Sequence, residues 1–392
     1  MRAEVSADAL VLTPAGEKAV RNRHHWIFSG AVSRFPDREN GSTVKLRSQS
    51  GEHLGWGYFN RRCSLCARVL SFDGTPPLEA LRLSLEAALE SRRRLLAGRT
   101  TAYRVCNAEA DGIPGLVVDL YAGVAVMQIG TLGLDRMREE IVGIIGEVVS
   151  PRALYERSEA PSRSEEGLAA AVGWRAGAPV GSVEIAEDGM AFLVSIEGSQ
   201  KTGFYLDQRE MRALVRSLAP GRRLLDCFCY TGGFSVAALA GGAERALLVD
   251  SSGPALDGAR ANLERNGFSD RAVLRREDCF EYLREQQISQ DLVILDPPAF
   301  ARRRQDVPGA LRGYREINRL AVQKAPRGGL ILSCSCSYHV DTALFQTTVF
   351  HAARDAGRPV RVLARHRLAS DHPINIFHPE TEYLKSLLLE VG

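Results

Sequence analysis

The stretch Arg223–Leu239, "RLLDCFCYTGGFSVAAL", decides the fold. A short apolar run ends in an acid, Asp226, followed by Cys227. Thr231, Gly232 and Gly233 then make a tight turn into a helix-forming run that begins near Phe234. Strand, glycine turn and helix in that order open a parallel α/β unit. Glycines at the turn let the backbone approach a ligand closely. The turn is not G-x-G-x-x-G, which argues against a nicotinamide or flavin fold. A turn without regular phosphate-cradling glycines suits a nucleoside that carries no pyrophosphate.

The alternation continues toward the C-terminus. "RALLVD", "AVLRR", "DLVILD", "GLILSC", "VRVLAR" and "SLLLEV" read as strands, with helices starting near Pro254, Glu281, Tyr314 and Thr342. The region 191–392 is therefore expected to be one α/β domain with a mostly parallel sheet. Ligands of such sheets bind outside the carboxyl ends of the strands. Asp250, followed by Ser251, ends the second strand, where an acid accepts hydrogen bonds from ribose hydroxyls. Asp278 follows the third strand and can accept from an adenine amino group. Asp296 ends the fourth. Each Asp alone is more often a cap or turn former. Placed at successive strand ends, they point to S-adenosylmethionine.

Two further motifs lie at that edge. "DPPAF", Asp296–Phe300, loses two backbone donors to its prolines and has a rigid path. It can present Asp296 and nearby carbonyls to a planar polar group, with Pro297 and Phe300 beside it, as enzymes acting on a flipped-out base require. The alternative is a stiff loop after a strand. "SCSCSY", Ser333–Tyr338, ends the fifth strand with Cys334 and Cys336. Pyrimidine C5 is too weak a nucleophile to take a methyl group directly, and a thiolate adding at C6 activates it. The alternative is that both cysteines are small hydrophobes in the sheet.

Upstream, residues 1–75 read as a small β-rich domain. Short β-forming runs lie between Gly and Asp turns, and Trp26, Phe28, Trp56, Tyr58 and Phe59 are concentrated there. Arg23, His25, Arg61 and Arg62 are interleaved with those aromatics, a pattern compatible with nucleic-acid contact. Residues 76–190 read as a central α+β domain. It opens with an amphipathic helix from Pro76 to Gly98, and "GLVVDLY" and "VAVMQIG" flank an Ala122-Gly123 turn. "LDRMREEIVGIIGEVV" is expected to be helical, and "ERSEAPSRSEEGLAAAVGWRAGAP" to be loop.

The 392 residues carry a formal net charge of only +3, so partners are read from basic clusters rather than from the total. No apolar run reaches the ~18 residues of a membrane span, and "MRAEVSADAL" lacks the apolar core of a signal peptide. A cytoplasmic protein with reduced cysteines is expected. Cys63 and Cys66 form a lone C-x-x-C without a second pair, so no metal is expected.

Over nearly its full length the chain resembles the bacterial 23S ribosomal RNA cytosine-C5 methyltransferases with an N-terminal PUA domain. The shared motifs are "HHWIFSGA", "NAEADGIPGLVVDLY", "QKTGFYLDQRE", "LLDCFCYTGGFSVAAL", "DPPAF", "SCSCS" and "SDHPINIFHPETEYLKSLLLEV". The resemblance implies a class I methyltransferase domain with a seven-stranded sheet, behind a PUA barrel and a central domain. It also implies S-adenosylmethionine as cofactor and ribosomal RNA as partner, with a homodimer as one option. The second cysteine of the last motif is the family's nucleophile, which implies Cys336; Asp296, from the reading of "DPPAF", is expected to steady the activated ring. The "FYLDQRE" segment contributes to the donor site, which implies Tyr205, Asp207 and Gln208. The two-cysteine cytosine methyltransferases carry a cysteine in the loop that is "DPPAF" here. Its absence leaves the base that removes the C5 proton unassigned. A guanine or adenine methyltransferase and a non-catalytic RNA-binding assembly factor are the competing readings.

Overall fold

A computed structural model describes residues 8–198, 202–366 and 368–392. The first seven residues, and Gln200 and Lys201 of the "QKTGFYLDQRE" motif, lie outside that set. The chain forms two units. The first comprises residues 1–185, 194–204 and 370–381, and the second 186–193, 205–369 and 382–392. No helix among the described residues is long and apolar enough to cross a membrane.

Unit 1 holds two sheets. The first has six strands: β1 (Ala9–Leu12), β2 (Trp26–Phe28), β3 (Val32–Arg34), β4 (Thr43–Arg47), β5 (His53–Phe59) and β6 (Leu65–Ser71). Their spatial order is β2-β6-β5-β4-β1-β3, with only β1 and β4 parallel. Leu10, Val20, Ile27, Leu46, Phe59 and Val69 form its core. The second sheet contains β7 (Ala102–Asn107), β8 (Leu116–Tyr121), β9 (Val124–Ile129), β10 (Ala153–Ser158) and β11 (Ala171–Ala176), in the order β11-β10-β9-β8-β7. Ala122 and Gly123 join β8 to β9 with φ of 45° and 84°, the turn the sequence predicts.

The helix Pro77–Leu96 buries Leu81, Leu85 and Leu89 in one core with Val105, Val118 and Met127, a four-residue spacing that makes one buried face. Helices Leu132–Arg136 and Arg138–Val148 replace the single helix expected there. The stretch expected to be loop contributes the end of β10, a short helix Ser162–Glu165 and β11. β11 is poor in β-formers, but antiparallel pairing with β10 supplies its hydrogen bonds. A hairpin follows, β12 (Ser182–Glu187) and β13 (Met190–Ser195), turned by Asp188-Gly189 with both residues at positive φ.

Unit 2 contains one seven-stranded sheet. Its strands are β14 (Arg223–Cys227), β15 (Arg245–Asp250), β16 (Ala272–Arg276), β17 (Leu292–Leu295), β18 (Leu330–Ser335), β19 (Val360–His366) and β20 (Lys385–Val391). The order is β16-β15-β14-β17-β18-β20-β19, parallel except for β20, which is antiparallel to both neighbours. All seven strands predicted for this region are present. The helix expected near Tyr314 begins earlier, at Val307. Pro308 is tolerated in its first turn, where the missing N–H has no intrahelical acceptor.

In unit 1 the Tyr58 hydroxyl donates to the Pro114 carbonyl at 2.7 Å and accepts from Thr131 Oγ1 at 3.0 Å. Gly133 faces that ring, and a Cβ added there would fall inside it. Gly133→Ala should destabilise the protein by roughly 1–3 kcal/mol through overpacking. Gly143→Ala, on a helix position with open space, should be neutral or mildly stabilising. Thermal melts of both variants check this, and equal melting temperatures would refute the contact.

Candidate active site

The parallel register carries chemistry to one edge of the unit 2 sheet. Cys227 pairs with Val249 on one side and Leu295 on the other, and Leu295 pairs with Ser333. The residues after these positions therefore leave the sheet together: the 228–233 loop, Asp250, Asp296 and Cys336.

The loop after β14 is held in an unusual conformation. Phe228, Tyr230 and Gly232 have φ of 62°, 49° and 75°. Non-glycine residues in this region are uncommon and cluster at functional sites. A Cβ at Gly232 would lie 3.2 Å from Leu248 Cδ2 and Ala259 Cβ, so a side chain there would be crowded as well as strained by the positive φ. Asp250 stabilises the loop: Oδ2 accepts from Tyr230 N at 2.9 Å and Oδ1 from Ser252 N at 2.9 Å. Fully buried Asn262 donates to the Thr231 carbonyl at 2.9 Å and accepts from Leu193 N at 2.8 Å. The motif reading did not contain Asn262, because nothing in its local sequence sets it apart from a helix-face asparagine.

Asp226 is buried. Oδ2 accepts from Ser235 Oγ at 2.7 Å, and Oδ1 has no partner among the described residues. Burial pushes its carboxyl up to about 7, against the Ser235 hydrogen bond and with help from Asp296 and Asp250. The Cys227 side chain turns into the core beside Cys279, so only its backbone belongs to the site edge. Ser251 is exposed and its carbonyl accepts from Arg276 Nε at 3.3 Å. Asp278 caps the helix Cys279–Glu285, its Oδ1 accepting from Phe280 N and Glu281 N at 2.9 and 3.1 Å.

The "FYLDQRE" segment lies at the same edge. Gln208 Nε2 donates to Asp296 Oδ1 at 3.0 Å, and the Tyr383 hydroxyl donates to Asp207 Oδ2 at 2.7 Å. The Tyr205 ring meets Tyr230 edge-on at 5.1 Å. Burial, then the Asp296 charge, drives the Tyr205 phenol up, so it stays protonated. Buried charges hold the segment in place. Glu187 accepts from Arg209 Nε at 3.2 Å and from Arg212 Nε at 2.6 Å, and Arg212 also donates to the Tyr205 carbonyl at 2.8 Å. Glu187 lies outside the motifs of the sequence reading.

The two cysteines of "SCSCSY" have different environments. Cys334 is fully buried on β18, and burial followed by the Asp296 charge pushes its thiol well above the usual range. β18 ends at Ser335, so Cys336 leaves the ladder half-buried, its Sγ 3.9 Å from the Pro297 carbonyl. Phe300 packs on Tyr314 with ring centroids 4.7 Å apart and on Phe280 at 5.8 Å, so its ring is engaged within the protein.

The basic candidates lie in unit 1. His25 is 4% exposed and bonded through Nδ1 to the Val69 carbonyl at 2.8 Å, so it is a core residue. Arg23 stacks over Phe72 and Phe377 at 5.6 and 6.0 Å. Arg61 donates to the Arg38 carbonyl at 2.7 Å and lies over Phe59 at 4.8 Å. Arg62 is exposed. Cys66 donates to the Ile27 carbonyl, whereas Cys63 donates to the Glu165 carbonyl. His24, His378 and Glu380 converge, with His378 Nδ1 3.0 Å from both His24 Nε2 and Glu380 Oε2. His24 Nδ1 accepts from Trp26 N at 3.2 Å, which places the proton on Nε2 and suits a hydrogen-bonded cluster better than a metal ligand.

A donor cation near Asp226 would favour its carboxylate. Binding of S-adenosylmethionine near pH 7 should therefore release part of a proton, because burial raises this carboxyl to about 7 in the free protein. Calorimetry in buffers of different ionisation enthalpy measures that release, and Asp226→Asn should abolish it. Identical apparent enthalpies in all buffers for the unsubstituted protein would exclude Asp226 from the linkage.

Comparison with known proteins agrees with this geometry. Residues 164–364 match the family of S-adenosylmethionine-dependent methyltransferases, and residues 10–72 match the PUA-like domain. "Ribosomal RNA large subunit methyltransferase I" of Alteromonas mediterranea is 40% identical over 97% of this chain and 98% of its own length. The protein of that name from Aeromonas hydrophila is 41% identical over the same shares. A solved methyltransferase complexed with SAH superposes with a TM-score of 0.84 at 23% identity, covering 98% of this chain and all of that one. That likeness extends the fold over both units. The chain belongs to the family of PUA-like-domain, S-adenosylmethionine-dependent methyltransferases that includes these ribosomal RNA large subunit methyltransferase I proteins.

Proposed function

We propose that the protein methylates C5 of a cytosine in large-subunit ribosomal RNA, with Cys336 as the covalent nucleophile. The observation that carries this reading is the position of Cys336. It stands at the end of β18, released from the ladder and beside the Pro297 carbonyl, while Cys334 is sealed in the core. The relatives' shared name supports ribosomal RNA as the substrate class.

The residues fit the donor. Asp226 offers a buried oxygen without a partner among the described residues, Gly232 a side-chain-free turn, and Asp250 a carboxylate at a strand end. Tyr205, Asp207 and Gln208 complete the candidate donor site. When bound, S-adenosylmethionine supplies an electrophilic methyl group.

The chain's own residues do the rest. The Cys336 thiolate adds to cytosine C6, forming a C–S bond and moving the C5=C6 electron pair toward C5. Asp296, held by Gln208, hydrogen-bonds the polar edge of the ring and favours the N3-protonated form that accepts electrons from sulfur. After C5 has been methylated, loss of its proton restores the double bond and expels the thiolate. Pro297 and Pro298 keep the loop rigid, so Asp296 is presented without reorganisation. Arg62, with Arg23 and Arg61 beside the aromatic positions, would neutralise RNA phosphates.

Cys336→Ser should lose turnover and keep donor binding, because a serine hydroxyl is a far weaker nucleophile at neutral pH. Cys334→Ser should keep most activity, with a stability cost of about 1–3 kcal/mol for a polar group in the core. Ribosomal RNA carrying 5-fluorocytosine should trap a covalent complex with the unsubstituted protein and with Cys334→Ser, and none with Cys336→Ser. A complex that survives Cys336→Ser but not Cys334→Ser would reverse the assignment. No complex with any of the three, with methyl transfer retained, would mean a purine target.

A further inference from the structure

Among the described residues of unit 2, one buried charge is not used by the machinery described so far. Lys385 opens β20 and is 4% exposed. Its backbone pairs with Ser335 across the β18–β20 ladder, and its Nζ donates to the Ser337 carbonyl at 2.7 Å. Lys385 therefore grips the residues on both sides of Cys336. Ser337 is itself anchored, its Oγ 2.9 Å from the Tyr314 hydroxyl and accepting from Ala301 N at 3.1 Å.

A buried ammonium is costly unless it faces negative charge. A backbone carbonyl satisfies one of its three donors and supplies no counter-charge. Three acidic groups act on this lysine: the Cys336 thiol, Glu382 just before the strand, and Asp341 at the start of the helix Thr342–Ala356. Around the thiol stand Tyr205 and Tyr314, whose phenols both feel it, with Asp296 next to Pro297. Of these groups Lys385 alone is cationic. A thiolate at Cys336 near the Asp296 carboxylate meets like charge, which raises the cost of ionisation.

We propose that Lys385 is a positioning residue that sets the charge state of Cys336, its ammonium stabilising the thiolate from within the fold. The proposal rests on the reading of Cys336 as the nucleophile. When the thiol ionises, its proton leaves to solvent and the thiolate and ammonium remain as a pair. Without such a partner the thiolate would face the Asp296 carboxylate with no opposing charge. Burial pulls the lysine down to about 8, while the Cys336, Glu382 and Asp341 charges act the other way. The support is therefore present at neutral pH and fades as the lysine loses its proton above that value. A lysine acting only as a tether to the Ser337 carbonyl would leave the thiol indifferent to its charge.

Alkylation of the full-length protein by iodoacetamide separates these cases, with modification at Cys336 followed by peptide mass spectrometry across pH. In the unsubstituted protein Cys336 should react at lower pH than Cys63, a half-exposed thiol that burial and Glu166 push upward. Lys385→Gln keeps a donor for the Ser337 carbonyl but removes the charge. Lys385→Met removes both, and Lys385→Arg keeps both. Gln and Met variants should shift the Cys336 midpoint up by about one pH unit, slowing alkylation about tenfold near pH 7, and Arg should restore it. A Gln variant with an unshifted midpoint would overturn the proposal. So would a Cys336 midpoint no lower than that of Cys63 in the unsubstituted protein, a measurement that needs no variant to fold. A shifted midpoint with no 5-fluorocytosine adduct would instead remove the nucleophile reading and leave the charge pairing intact.

Discussion

The chemistry of this protein depends on the parallel pairing of β14, β15, β17 and β18. Each parallel neighbour starts at the same edge and ends at the same edge, so four separate loops open side by side. That is why the 228–233 loop, Asp250, Asp296 and Cys336 leave the sheet at one edge although they span more than a quarter of the chain. β20 runs the other way, and this reversal has its own consequence. An antiparallel strand begins where its neighbours end, so the first residue of β20, Lys385, is delivered to the active edge. A parallel strand at that position would have brought its last residue instead.

An exposed edge of strand ends is not by itself a site, since loops are free to wander. Here buried polar groups hold them. Glu187 neutralises Arg209 and Arg212, two buried cations that flank the "FYLDQRE" turn, and Arg212 reaches on to the Tyr205 carbonyl. Removing Glu187 alone would take a shared carboxylate from two buried guanidiniums, which is costly in the core. Asn262 does the equivalent for the loop after β14, and Gln208 does it for Asp296. Each of these contacts costs desolvation and returns a defined geometry. The strained φ values at Phe228 and Tyr230 persist because such contacts over-determine the loop.

The strand-turn-helix rhythm made the sheet of unit 2 legible from the sequence, because short apolar runs ending in Asp are read locally. β11 was not, since Ala, Gly and Arg gain strand conformation only from the partner β10. The same contrast governs the site. Asp226, Asp250 and Asp296 lie at ends of recognisable strands, so position marks them, whereas position marks the Cys334/Cys336 pair and only the family resemblance singles out Cys336. Glu187, Asn262 and Lys385 act through partners far away in sequence, and their local patterns are those of an ordinary hairpin, helix and strand. His25 shows the reverse failure. Its neighbours are basic and aromatic, yet it is buried just before β2, where its ring and its carbonyl both bond the Val69 backbone.

The eight cysteines illustrate how little separates an inert thiol from an available one. Cys66, Cys106, Cys229 and Cys334 are pushed up mainly by burial, Cys66 to about 11. Cys227 is raised first by its hydrogen bond with Cys279. These side chains serve as compact core atoms, a role that alanine or valine fills almost as well. Cys334 and Cys336 are only two residues apart, and in a continuous strand they would share one face and one environment. The ladder stops between them, at Ser335. That single break separates a core thiol from one that reaches the Pro297 carbonyl and lies between the two residues Lys385 holds. Extending β18 by two residues would draw Cys336 back into the sheet, so the length of the strand, as much as the identity of the residue, places a thiol at the active edge.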